Sequence, residues 1–125
     1  MNVVPIEPPR EFDVGRGEIV RLKDCARIEL QPDEQVTFLT ESGAEYDFVR
    51  KSWGFYATPS LNGRLQRFGL RGVLLKSPQG KMYLVVVERG REAEFERYMT
   101  VERHTLICWL DSDEAVEAFE RKLAR

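Results

Sequence analysis

Residues 65–87 read LQRFGLRGVLLKSPQGKMYLVVV, two apolar arms around Ser77-Pro78-Gln79-Gly80. Proline at the second place of that tetrad presets φ at about −65°, so the tetrad is a turn and arms 65–76 and 81–87 form a hairpin. Leu84-Val85-Val86-Val87 is apolar on both faces, which predicts a central strand. Gly69 and Gly72 interrupt the other arm and predict a bulge or a close approach of another segment.

Upstream the period of two recurs. Ala26, Ile28 and Leu30 alternate with Arg27 and Glu29, and Val36, Phe38 and Thr40 continue the pattern. Tyr46, Phe48 and Arg50 share a face, with Glu45, Asp47 and Val49 opposite. Gln31–Glu34 and Glu41–Ala44 read as turns, the second on Gly43. Residues 1–12 hold Pro5, Pro8 and Pro9 and read as an extended or poorly ordered arm before one domain, 13–125. Val14-Gly15-Arg16-Gly17 reads as a flexible entry into the fold.

Downstream, Phe95, Tyr98 and Met99 have helical spacing, and His104–Leu110 is strand-like. Asp111 or Ser112 caps a second helix, with Asp111 and Glu114 spaced as a capping box and Val116, Phe119 and Leu123 as its buried stripe. The expected class is α+β: a mostly antiparallel sheet, able to curve into a barrel, with a C-terminal strand–helix–strand–helix tail.

A net charge of −2 gives no overall pull toward nucleic acid or a membrane. No apolar run approaches the roughly 20 residues of a membrane span, and no cationic or apolar leader opens the chain, so a reduced, cytoplasmic protein is expected. Cys25 and Cys108 read as small packing residues. His104 is the one histidine and reads as a surface residue at a strand edge. On a strand it stands about 13 Å from Cys108, too far for one metal ion. CxxC, HxH, HExxH, GxGxxG and P-loop patterns are absent, so neither a metal nor a cofactor is expected. Glu92, Glu94 and Glu96, interleaved with Arg91 and Arg97, read as a solvated helix face.

Charge is segregated. Residues 48–87 contain no acid and seven cations: Arg50, Lys51, Arg64, Arg67, Arg71, Lys76 and Lys81. The remainder carries twelve cations against all twenty-one acids. Trp53, Phe55 and Tyr56 sit inside the basic window, followed by a turn-rich loop through Asn62-Gly63. Three readings compete. The cations face acids of the same chain, or they hold a small anion, or they bind a single-stranded nucleic acid. The acidic remainder would repel a long polyanion, which disfavours the third. In the second, Arg50, Lys51, Arg64 and Arg67 hold the anion. Trp53 and Tyr56 stack on its flat part, and Ser60 and Asn62 reach its hydroxyls.

The run KSWGFYATPSLNGRL, residues 51–65, resembles a segment of uncharacterised bacterial proteins associated with surface-polysaccharide biosynthesis. The resemblance implies a sugar context and transfers no catalytic residue. The leading expectation is therefore an accessory binding domain for a small anionic ligand, a sugar acid or nucleotide-sugar. One alternative is a small glycan-biosynthesis enzyme, an isomerase or transferase, using a carboxylate or Tyr56. The other is a protein–protein adaptor that anchors a partner through the Trp53–Leu61 loop. The exposed arm and open strand edges allow a homodimer.

Overall fold

The computed structural model describes residues 1–124 and is α+β. β1 (Asn2–Val14) and β2 (Val20–Glu29) form a two-stranded antiparallel ribbon. Its register slips between Pro5 and Arg10, where Pro8 and Pro9 supply no ladder donors. β3 (Gln35–Leu39), β4 (Glu45–Lys51) and β5 (Gly54–Ala57) form a second sheet in that order. The turn from β3 to β4 closes on Gly43, whose φ of +93° suits a residue without a Cβ. A third sheet has the order β7-β6-β8, from β6 (Leu70–Lys76), β7 (Met82–Glu88) and β8 (Thr105–Trp109). The strands are antiparallel throughout, and none of the three sheets closes into a barrel.

Two expectations about the central hairpin change. Residues 65–67 are not strand but belong to a single helical turn, α1 (Arg64–Arg67), which buries Leu65. The apolar arm, β7, is an edge strand; β6 takes the centre because β8 pairs on its other side. The turn itself is as read. Ser77 N–H donates to Lys81 O at 2.8 Å, Gly80 N–H donates to Ser77 O at 2.9 Å, and Gly80 has φ +85°. Gly72 is a close approach: a Cβ there would lie 2.5 Å from Leu61.

α2 (Glu92–Val101) lays Phe95 and Met99 on Val73, Leu75 and Val87 to make the main core, with Val85 and Trp109 packed beside it. A smaller core joins Leu65, Leu70 and Ala44, so α1 links the second and third sheets. Arg71 bridges Glu92 at 3.0 Å and Asp111 at 2.7 Å over the face of Trp109. With Asp111 engaged there, Ser112 caps α3 (Asp113–Leu123), its Oγ accepting from Ala115 N–H at 3.1 Å. Ala115 stands at the third helical position, so no capping box forms. The expected stripe of α3 is only partly covered; Val116 and Phe119 are half-buried and Leu123 is exposed. Cys25 is exposed on the ribbon instead of packed, Cys108 is half-buried, and both are free thiols. Among the described residues, no helix is long and apolar enough to cross a membrane.

Candidate functional site

The acid-free window does not stay acid-free in space. Lys51 pairs with Asp33, Arg64 with Asp47, and Arg71 with two carboxylates. Arg50, Arg67, Lys76 and Lys81 have no such partner among the described residues; Lys76 and Lys81 flank the β6–β7 turn of the third sheet, and Arg50 and Arg67 lie on β4 and α1. Arg50 lies cross-strand from Phe55, on the face of the second sheet opposite Lys51. Arg67 is exposed on α1.

Lys51, Trp53 and Tyr56 do come together at the β4–β5 turn. Trp53 stacks on Tyr56 with ring centroids 6.3 Å apart and an interplanar angle of 20°, and Trp53 is 70% exposed. Ser60 makes a local contact and Asn62 a long-range one. Ser60 Oγ accepts from Arg64 N–H at 3.1 Å, and Asn62 donates to Asp113 at 3.0 Å.

Asp47 explains Arg64. The carboxylate is buried, and its Oδ2 takes Thr58 at 3.3 Å and Arg64 at 3.4 Å while Oδ1 has no partner. One guanidinium nitrogen of Arg64, Nη2, is shared between Asp47 and Thr58. Arg64→Ala is expected to destabilise the fold by about 1–2 kcal/mol, because it leaves Asp47 less satisfied while Arg64 itself is partly solvated. Urea titration checks this, and adding Asp47→Asn is expected to recover part of the loss.

A separate concavity lies elsewhere. A cleft of about 680 Å³ opens between the ribbon, β6–β7 and α2. Val14, Val20 and Leu22 of the ribbon form one wall, and Leu75, Tyr83 and Val85 of the third sheet form the other. Tyr98, Val101, Glu102 and His104 close one end. His104, just before β8, is half-buried here. Its Nε2 is 3.3 Å from the Tyr98 hydroxyl, and its Nδ1 is buried without a partner.

The ribbon is held over the cleft at its tip. Glu102, buried at the end of α2, accepts from Arg16 N–H at 2.8 Å and Gly17 N–H at 3.0 Å. Those two amides hold its carboxyl below the ordinary value of 4.5. Glu18 pairs with Arg97 at 3.1 Å, which lowers its carboxyl as well. Glu94, the third carboxylate on the lining, pairs with Arg91. The Arg16 side chain has no carboxylate partner among the described residues; its guanidinium meets the Gln79 amide oxygen at the mouth.

Arg16, Tyr98, Glu102 and His104 were not singled out in sequence as a site. The one local signal was the pair of glycines flanking Arg16. Compared with protein families, curated proteins and solved structures, the chain shows no significant match.

Proposed function

We propose that this chain is an accessory binding domain for a small anion with a flat apolar body, seated in the cleft beneath the ribbon. The observation that carries the reading is a mainly apolar wall surface with one guanidinium at its mouth, Arg16, that has no carboxylate partner among the described residues and meets only the Gln79 amide. The volume falls in the range of small-molecule sites, and the walls between the charged groups are apolar, as in such sites. Each carboxylate on the lining is already engaged by amides or arginine. Val14, Leu22, Leu75 and Val85 favour an aromatic or nucleobase-like body over a bare sugar acid. A nucleotide-sugar meets that requirement through its base.

A second reading is a protein adaptor anchored by the Trp53–Tyr56 pair, which is favoured by the 70% exposure of Trp53 on a two-residue turn. One titration separates the two. The fluorescent anion 1-anilinonaphthalene-8-sulfonate is added to the folded protein, with nucleotide-sugars as competitors. Arg16→Gln is expected to weaken binding about tenfold, the loss of one charged hydrogen bond, and Leu22→Trp to abolish it by filling the cleft. Trp53→Ala is expected to leave it unchanged. Binding that ignores Arg16 and Leu22 but vanishes with Trp53 overturns the cleft reading in favour of the aromatic turn.

A further inference from the structure

We propose that β7 is the dimer seam: a second copy of this chain pairs its own β7 antiparallel to it, making one six-stranded sheet of order β8-β6-β7-β7-β6-β8 across a twofold axis. This goes beyond the ligand reading and does not depend on it. The first support is a mismatch between sequence and position. Leu84–Val87 has the two-sided apolar pattern of a central strand, yet β7 lies at an edge. From Met82 to Val87 it carries no charge, no proline and no bulge, and it pairs with β6 in unbroken register. Native edges are normally blunted by one of those devices, and an edge without them is a template for another strand.

The other edge of the same sheet provides the contrast. β8 has a register shift against β6 that leaves Ile107 as an extra residue, so its ladder is interrupted. β7 has no such block. Met82, Tyr83 and Leu84 are each about half exposed, and among the described residues no backbone hydrogen bond from Met82–Val87 reaches outside the β6 ladder.

Surface area supplies the second support. The chain exposes 9088 Å², whereas a compact monomer of 14.5 kDa exposes about 6,900 Å². The ribbon accounts for part of that excess of about 2,200 Å². A stable interface needs only about 800 Å² from each partner. A twofold matches the edge to itself, because antiparallel pairing of one strand with its own copy is isologous and closes the assembly at two chains.

Sedimentation velocity of the full chain at micromolar concentration is expected to give twice the single-chain mass. Leu84→Lys places a charge on the seam at a position half exposed in the single chain, and is expected to return the mass to one chain with an unchanged far-ultraviolet circular dichroism spectrum. Ile107→Lys on β8 is expected to leave the dimer intact. Amide exchange provides a measurement free of mutation: protection of Met82–Val87 is expected to rise with protein concentration. A single-chain mass for the unmodified protein, a dimer that survives Leu84→Lys, or protection independent of concentration overturns the proposal.

Discussion

Leu65→Ala is expected to lower unfolding free energy by about 3–5 kcal/mol, a large share of the roughly 5–15 kcal/mol that holds a domain together. Leu65 is fully buried, with 0% exposure, and it is the one buried residue of α1. That helix is a single turn. It has no side-chain cap at Gly63 and leans on Ser60, whose carbonyl and hydroxyl accept from Leu65 N–H and Arg64 N–H. One turn cannot sustain itself, since nucleation fixes several residues for very little hydrogen bonding. It is therefore held by its side chain, which packs with Ala44 and Leu70 and against Tyr46, Leu61 and Val86. Truncation leaves a cavity where the second and third sheets meet. Urea unfolding of Leu65→Ala beside Leu65→Met measures it. A loss for alanine below about 1 kcal/mol would mean that α1 collapses into the gap and is no tie between sheets.

What sequence reading could recover divides along the distance of the deciding contact. The Ser77–Gly80 turn was legible because proline and glycine fix its dihedrals locally. The helix over Arg91–Val101 was legible from spacing alone, although Tyr98 of its expected stripe turned out to line the cleft. The place of β7 was not legible, because strand order depends on β8, which comes seventeen residues after β7 ends. α1 spans one turn, too short for a helical period to show, although its four residues are all good helix formers. The ion pairs of the basic window were illegible for a related reason. Its partners Asp33, Asp47, Glu92 and Asp111 all lie outside it in sequence and reach it only through the fold. The cleft is the extreme case, since its lining comes from residues 14–22, 75–85 and 94–104.

The tip of the ribbon is where Gly15-Arg16-Gly17, which reads as slack, proves to be a docked contact. Gly17→Ala is expected to lift it. A Cβ on Gly17 would lie 1.9 Å from the Val101 carbonyl oxygen, a backbone atom that cannot rotate away. Relief requires the tip to move off α2, breaking both amide contacts to Glu102 and opening the cleft. The expected cost is about 2–4 kcal/mol, with loss of anion binding and of amide protection at residues 16 and 17. Acid should produce the same opening in the unmodified chain. Glu102 has a folded-state value below 4.5, so its contribution is complete above that value and fades as pH falls through the lower, folded one. Glu18, lowered by Arg97, fades in the same direction. Amide exchange at residues 16 and 17 should therefore speed up relative to the β6 core below about pH 4.5, and Glu102→Gln should flatten that dependence. If the tip keeps its protection into acid, or if Gly17→Ala leaves it closed, the Glu102 clasp is not what holds the ribbon down.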